Sequence, residues 1–177
     1  MNRYVIVCDL KGVASNFHNK ITEDVCSRFN KKRQKLPAHI TLKAPFETDK
    51  IYELIPVLEK FANKYIAAPI EIKGYGKFRQ DVIYMNVKVS EETKKMHDDL
   101  FDELNKIPWI SFKKNEGKDR VFHCTIVSKS IGDKFYEIWD YLNQFPCDFH
   151  EMFNNISLYE WKDNTWVIYK VFKLKNL

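Results

Sequence analysis

Two short segments of the chain carry the same arrangement of a histidine and a threonine. Segments 38–42 (AHITL) and 122–126 (FHCTI) both read apolar, His, apolar, Thr, apolar. This alternation is typical of β-strands, in which residues two positions apart point to the same face. We therefore expect His39 and Thr41 together on one strand face, and His123 and Thr125 together on a face of another strand.

Histidine titrates near neutral pH, so these pairs are candidates for acid–base chemistry. A lone histidine in an apolar strand is more often a hydrogen-bonded core residue. Chance would produce roughly 0.2 His-x-Thr matches in a chain of this composition, so two matches in similar contexts favour a functional role. If the strands belong to lobes related by a pseudo-twofold axis, the two pairs converge on one cleft.

A zinc site is an alternative explanation of paired histidines. A catalytic zinc usually has three protein ligands, and no HxxxH, HxxE or CxxC spacing supplies a third here. The isolated Gly74-Tyr75-Gly76 lacks the Lys-Ser/Thr of a nucleotide-binding loop. We therefore predict no metal and no cofactor. The cysteines are far apart and are expected to be buried free thiols: Cys8, Cys26, Cys124 and Cys147.

The remaining hydrophobic patterns predict the strands and helices that must position the two motifs. Strands are expected at 4–8, 38–42, 70–78, 82–89, 121–127, 156–161 and 165–174. Helices are expected at 21–32, 51–62, 90–104 and 131–142. Pro56 falls inside the second helix and should kink it. The charged stretch 111–120 is expected to be a loop.

The second half of the chain repeats the order of the first. Val82 follows His39 by 43 positions, Val167 follows His123 by 44, and each valine begins the tripeptide Val-Ile-Tyr. Repeat units at about 36–106 and 120–177 indicate an ancient duplication. We therefore predict an α+β fold in one domain, 1–177, with two pseudo-symmetric lobes of antiparallel sheet, helices outside, and a central cleft.

The paired motifs resemble those of the 2H phosphoesterase superfamily, which is named for two His-x-Thr/Ser motifs. Segment 37–46 (PAHITLKAPF) is similar to the first motif of the bacterial 2′-5′ RNA ligase-like branch. The resemblance covers nearly the whole chain in order and length. Two features depart from it. Ala38 and Phe122 stand where many members have proline before the histidine, and Ser128-Lys129 stand where a Gly-Arg-like pair is frequent.

The resemblance implies a metal-independent phosphoesterase that opens or forms 2′,3′-cyclic phosphates or 2′-5′ phosphodiester bonds. Such a reaction needs an attacking group, a leaving oxygen opposite it, and stabilised charge between them. His39 and His123 would share the base and acid roles, in an order that the sequence leaves open. Thr41 and Thr125 would donate hydrogen bonds to the non-bridging oxygens.

Basic and aromatic residues near the motifs are candidates for substrate binding. Lys43 lies two residues beyond Thr41, on the same face if the strand continues, and Arg120 and Lys129 flank the second motif. The run 31–35 is expected to end the first helix, where cations stabilise the helix dipole or contact RNA. Four aromatic residues are candidates for base stacking: Tyr75, Phe78, Tyr84 and Trp161. For the other histidines, surface or structural roles are expected: His18, His97 and His150.

Composition limits the classes of protein that remain. The chain has 177 residues, 45% of them hydrophobic, and a formal net charge of +5, which permits an anionic partner without requiring one. No apolar stretch of about 18 residues predicts a membrane span, and the first ten residues do not resemble a signal peptide. We expect a cytoplasmic monomer that acts on RNA or a nucleotide. Two alternatives stay open: a phosphodiesterase for a cyclic oligonucleotide or ADP-ribose cyclic phosphate, and a module that only binds RNA termini.

Overall fold

The computed structural model describes residues 1–176 of the chain, and within them strands and helices form an α+β fold. The strands are β1 (Asn2–Asp9), β2 (His39–Thr48), β3 (Ala68–Phe78), β4 (Val82–Val89), β5 (His123–Ser128), β6 (Asp148–Phe153), β7 (Asn155–Lys162) and β8 (Thr165–Lys173). The helices are α1 (Gly12–Arg28), α2 (Ile51–Lys64), α3 (Glu91–Asn105) and α4 (Phe135–Leu142), with short 3₁₀ turns at Lys114–Glu116 and Gly132–Lys134.

The strands form two four-stranded antiparallel sheets, in the orders β2-β1-β7-β8 and β5-β4-β3-β6. Helix α2 packs on the first sheet and α3 on the second, while α1 contacts β5, β6 and α4. Each sheet has a motif strand at one edge, and these two strands, β2 and β5, contact each other. The predicted fold class is confirmed, and the sheet order places both motifs where the two sheets meet.

The two sheets do not correspond to the two predicted repeat units, because each sheet contains strands from both halves of the chain. Hairpin β3–β4 follows the first motif in the chain but pairs with β5, the second motif strand. The closing hairpin β7–β8 follows the second motif but pairs with β1, beside the first motif strand. The repeated tripeptide therefore does not mark equivalent sheet positions, because β4 lies inside its sheet whereas β8 forms an edge.

The register of the motif strands confirms the predicted sharing of faces. On β1, Asp9 pairs with His39 and Val7 with Thr41, while Cys8 pairs with Ile40. Cys8 and Ile40 belong to the main hydrophobic core, whereas Val7 belongs to a small separate cluster on the opposite face. The motif side chains thus lie on the face of the sheet that is turned away from the main core.

Helix α1 begins and ends earlier than predicted. It runs from Gly12 to Arg28 and is followed by Asn30, whose φ of 52° lies in the left-handed region that ends helices. The basic run 31–35 is therefore not the end of the helix but an extended segment that leads to β2. This correction matters for the site, because the segment crosses between the two sheets.

All four cysteines are buried and free, as predicted. None of the helices in residues 1–176 is long and apolar enough to cross a membrane.

Three of the five histidines are buried: His18, His39 and His97. Burial lowers the pKa of His39 and of His97 to about 4, because the charged imidazolium loses its hydration. The pKa of His18 is lowered for the same reason. In the unfolded chain these groups titrate near 6.5, so between pH 6.5 and 4 the unfolded state binds more protons than the folded state.

We expect the free energy of unfolding to fall as the pH decreases from 6.5 to 4. Each histidine that is neutral in the folded state but protonated in the unfolded state lowers the free energy of unfolding by about 1.4 kcal/mol for each pH unit of acidification. The variant His97→Gln should reduce this slope by one such increment, measured by urea unfolding at several pH values. His150→Gln, at an exposed position on β6, is the matched control. An unchanged slope in His97→Gln would show that burial does not keep this ring neutral.

Candidate active site

Both motif histidines are held by the same backbone hydrogen bond. Nδ1 of His39 lies 2.7 Å from the carbonyl oxygen of Pro37, and Nδ1 of His123 lies 2.8 Å from that of Val121. A carbonyl oxygen only accepts hydrogen bonds, so Nδ1 carries the proton in each ring. The neutral rings therefore each keep a lone pair on Nε2, the atom that remains available for chemistry.

The second motif histidine is close enough to influence the protonation of the first. Burial is the main cause that lowers the pKa of His39, and a positive charge on His123 or His18 would lower it further. Burial also lowers the pKa of His123, with an additional contribution from the cationic Arg120. Without an anion in the cleft both imidazoles are neutral at pH 7, and a bound phosphate would favour their protonation.

The surroundings of the two histidines differ in spite of their equivalent positions. Beside His39 lies Asp9, a buried carboxylate to which the hydroxyl of Tyr159 donates, with both carboxylate oxygens 3.0 Å from the hydroxyl oxygen. Beside His123 lie the rings of Phe78 and Tyr84, each with its centroid 5.0 Å from the imidazole. One imidazole thus borders a polar network and the other an aromatic wall.

A glycine makes the aromatic wall possible. A Cβ atom on Gly76 would lie 2.3 Å from the ring of Tyr84 and 2.4 Å from the side chain of Asn86. Tyr84 pairs with Thr125, and Asn86 pairs with His123, across β4 and β5. Only a residue without a side chain lets β3 approach closely enough for Tyr84 to pack beside His123.

The motif threonines are half-buried on the same faces as their histidines. Within residues 1–176 neither hydroxyl donates a hydrogen bond to another protein group. Both hydroxyls therefore remain available to an oxyanion placed between the strands.

Lys43 does not share the face of Thr41, which corrects the expectation from the sequence. Thr41 pairs with Val7, and Lys43 pairs with Ile6, the neighbour of Val7 on β1. Strand β2 therefore contains one extra residue at this point, a β-bulge, which turns the side chain of Lys43 to the opposite face from Thr41. The side chain of Lys43 is 2% exposed, and its Nζ lies 3.0 and 3.2 Å from the carboxylate oxygens of Glu116. Its third hydrogen bond, 3.1 Å long, goes to the carbonyl of Ala44.

Hydrogen bonds of Glu116 connect the loop before the second motif to the first motif strand, β2. Besides Lys43, its carboxylate accepts hydrogen bonds of 2.7 Å from the backbone N–H groups of Ala44 and Lys113. Burial alone would raise the pKa of Glu116, but these three donors outweigh it and lower the pKa. The predicted loop before the second motif is therefore anchored by a buried ion pair.

The two other predicted cations occupy different places. Arg120 is half-buried, donates a 2.8 Å hydrogen bond from Nη1 to the carbonyl of Leu42, and has a buried Nε with no partner in residues 1–176. Lys129 lies in a left-handed turn beyond β5, roughly 20 Å along the strand from His123. Arg120 thus lies beside His123, and Lys129 is remote from it.

A groove of about 430 Å³ opens beside His123 and runs under the loop 114–121. Phe78, which is 36% exposed, forms its aromatic side, and Lys114, Lys118 and Arg120 line it together with Asp119. Lys118 is paired with Asp102 at 2.7 Å. The groove therefore combines an aromatic surface with an excess of positive charge next to one of the two imidazoles.

The other aromatic candidates are not free to stack on a base, because two of them are engaged away from the motifs and Tyr84 is packed beside His123. The hydroxyl of Tyr75 donates to the carbonyl of Phe145, and Trp161 packs edge-on against Trp166 beneath the ammonium of Lys35. Tyr84 is buried.

Two residues near the second motif were missed from the sequence. Nε2 of His18 and Nε2 of Gln34 each lie 2.7 Å from the carbonyl oxygen of Thr125. His18 falls in the spacing Ala14, His18, Thr22, Val25 on the buried face of α1, a pattern that could have identified it as an inward-facing residue. Nothing in the sequence around Gln34 distinguishes it from a solvent-exposed residue. In the part of the chain that the structure describes, no three His, Cys, Asp or Glu side chains are grouped as metal ligands.

Comparisons with known proteins agree with this arrangement. A curated relative from Bacillus pumilus, named as a candidate phosphoesterase, is 27% identical over 168 residues, covering 89% of this chain and 94% of that protein. One from Geobacillus sp. is 25% identical, with coverages of 88% and 91%. The crystal structure of E. coli LigT complexed with 3′-AMP superposes with a TM-score of 0.63 at 11% identity, covering 98% of each chain, which shows a common fold.

The sequence model of one family matches most of the chain, over residues 12–165, and includes both motif strands. The chain belongs to the 2′-5′ RNA ligase superfamily.

Proposed function

We propose that this protein hydrolyses or forms 2′,3′-cyclic phosphate or 2′-5′ phosphodiester bonds in RNA or nucleotides by acid–base catalysis. The observation that carries the proposal is the matched pair of Nδ1–carbonyl hydrogen bonds, which leaves Nε2 free on both His39 and His123. Family membership and the contact between the two motif strands support it.

In the hydrolysis direction, His39 is the base and His123 is the acid. The base must start neutral, and His39 is the more deeply buried ring, with a pKa of about 4. The acid must start protonated, and the less buried His123 gains its proton more readily when a phosphate anion is bound. Nε2 of His39 takes a proton from the attacking water, and Nε2 of His123 gives one to the leaving ribose oxygen as its bond to phosphorus breaks.

Thr41 and Thr125 donate hydrogen bonds to the non-bridging oxygens, where negative charge is held during the displacement. Run in reverse, the protonated His39 becomes the acid and the neutral His123 the base. The base then activates a ribose hydroxyl, and a cyclic phosphate forms. If the 5′-hydroxyl of a second strand replaces water as the attacking group on the cyclic phosphate, the same groups join two strands.

The remainder of the substrate lies in the groove beside His123. Phe78 stacks against a nucleobase, and Arg120 contacts a phosphate oxygen with the N–H groups that Leu42 does not take. Lys43 acts indirectly, since its ammonium holds the loop through Glu116. Lys129 is too far along β5 to reach the same nucleotide. Because the groove carries further positive charge at Lys114, a substrate with a second phosphate, such as an oligonucleotide or an ADP-ribose cyclic phosphate, is the second candidate.

We expect His39→Ala and His123→Ala each to lose several orders of magnitude in kcat/KM on 2′,3′-cyclic nucleotides, because each removes one proton-transfer group. Thr41→Val and Thr125→Val should lose about 10²-fold, the typical effect of one oxyanion donor. The assay is a panel of cyclic mononucleotides, cyclic-phosphate RNA and 2′-5′-linked dinucleotides, run in EDTA, which should leave the rates unchanged.

His150→Ala, on the exposed part of β6, is the control for this panel and should match the wild-type rate. Full activity in His123→Ala would contradict the two-histidine mechanism. Absence of wild-type turnover, combined with tight RNA binding by the double His→Ala variant, would instead support a module that binds RNA termini.

The pH profile of kcat/KM should be a bell displaced to the acid side of 6.5, since the pKa of both histidines is lowered in the free protein. The rate should fall as rising pH removes the proton of His123. Arg120→Gln should move this alkaline limb to higher pH, because the guanidinium lowers the pKa of His123. Lys60→Gln on α2 is the control. An alkaline limb that stays in place in Arg120→Gln would argue against His123 as the acid.

Phe78→Ala should raise KM for a nucleotide about 5- to 100-fold with a smaller change in kcat, as expected from the loss of one base-stacking surface. Phe78→Trp should restore binding. Tyr136→Ala, which removes an exposed aromatic residue on α4, is the control and should leave KM unchanged. Equal KM values for Phe78→Ala and the wild type would place the base outside this groove.

A further inference from the structure

The carbonyl of Thr125 is held by two side chains that do not belong to either motif. His18 and Gln34 both approach its oxygen to 2.7 Å, from α1 and from the segment that follows α1. Strand β5 is the edge of its sheet, so a carbonyl that points away from β4 has no strand partner there. The two side chains supply the hydrogen-bond donors that a neighbouring strand would otherwise supply.

His18 is suited to act as a neutral donor, because burial lowers the pKa of its imidazole. Because a carbonyl only accepts, Nε2 of His18 carries the proton in this hydrogen bond. The side chain is 4% exposed, and its Nδ1 is buried without a hydrogen-bond partner in residues 1–176. Burial lowers the pKa of His18, which disfavours a second proton on the ring. The ring is thus restricted to one tautomer and one role.

Gln34 links the same carbonyl to the first motif, since it lies five residues before His39 in the segment that leads into β2. That segment is fixed on both sides of Gln34. Nζ of Lys31 lies 2.7 Å from the carbonyl of Ser130 and from the carboxylate of Asp133, and Nζ of Lys35 donates to the carbonyl of Asn164. The segment before the first motif is therefore tied to the second motif strand and to both sheets.

The second motif is tied to the first in the reciprocal way. Arg120, three residues before His123, donates from Nη1 to the carbonyl of Leu42, the residue after Thr41. Each segment that precedes a motif thus donates to a backbone carbonyl of the other motif strand. Such crossed hydrogen bonds fix how far one motif strand can move relative to the other.

We infer that His18 and Gln34 are positioning residues that hold the Thr125 peptide, and through it set the Thr125 hydroxyl and the His123 ring relative to His39. The inference rests on the proposed function for its effect on rate. Neither side chain touches the substrate. Their loss should therefore lower kcat while KM changes little, because a misplaced donor weakens stabilisation of the transition state more than binding of the substrate.

A double-mutant cycle tests this role. His18→Leu and Gln34→Leu should each lower kcat about 3- to 10-fold, since the second donor still holds the oxygen. The double variant should lose more than 100-fold, since a partly buried carbonyl is then left without a donor. KM should stay within about 3-fold throughout. His18→Gln, which keeps an N–H donor, should recover most of the rate. Gln144→Leu, whose amide also donates to a backbone carbonyl but on α4, is the matched control.

A second background separates positioning from loss of stability. In Thr125→Val the hydroxyl is already absent, so adding Gln34→Leu should lower kcat less than it does in the wild-type background, because only the effect on His123 remains. A further loss equal to that in the wild-type background would overturn the inference.

Amide hydrogen exchange without substrate gives a readout that does not depend on turnover. In the double variant exchange should become faster across β5 and stay unchanged in β7, which His18 and Gln34 do not contact. Unchanged exchange in β5 would overturn the inference even if the wild type is active. If the wild type turned over no substrate but exchange in β5 was still faster in the double variant, the proposed function would be rejected. The role of His18 and Gln34 in holding the Thr125 peptide would still be established.

Discussion

The contact between β2 and β5 is the constraint on which the site depends. Each strand is the edge of its own sheet, and each presents a histidine and a threonine on the face turned away from the main core. Edge strands have unpaired backbone groups and are free to move unless something covers them. Here the two edges are tied to each other through side chains: Arg120 bonds the backbone of β2, and His18 and Gln34 bond that of β5. The buried pair Lys43–Glu116 adds a fourth tie.

This arrangement explains why a symmetric pair of motifs yields an asymmetric site. The two imidazoles have the same backbone hydrogen bond and the same place in their sheets, so what distinguishes them is their neighbours. Asp9 and its hydrogen bonds accompany His39, whereas Phe78, Tyr84 and Arg120 accompany His123. The proposed assignment of His39 as the base and His123 as the acid rests on these neighbours and on the difference in burial.

Local patterns were sufficient for much of the fold and for the four motif residues. Alternation placed each His and Thr on one face, and hydrophobic periodicity predicted α3 to within one residue at each end. Three features were not predictable, because each depends on residues distant in the chain. Strand β6 has only one fully buried residue, Phe153, and is recognisable only through its pairing with β3. The bulge that turns Lys43 inward arises from pairing with β1, and Gln34 acquires a role only when Thr125 lies beside it.

The distribution of strands between the sheets has a consequence for how the molecule holds together. Because β3–β4 completes the sheet of the second motif and β7–β8 that of the first, neither half of the chain contains a whole sheet. A fragment ending before β5 would expose the open side of β4, and the complementary fragment would expose that of β7. A cut in the segment between α3 and β5 should therefore leave two pieces that remain associated without a covalent link.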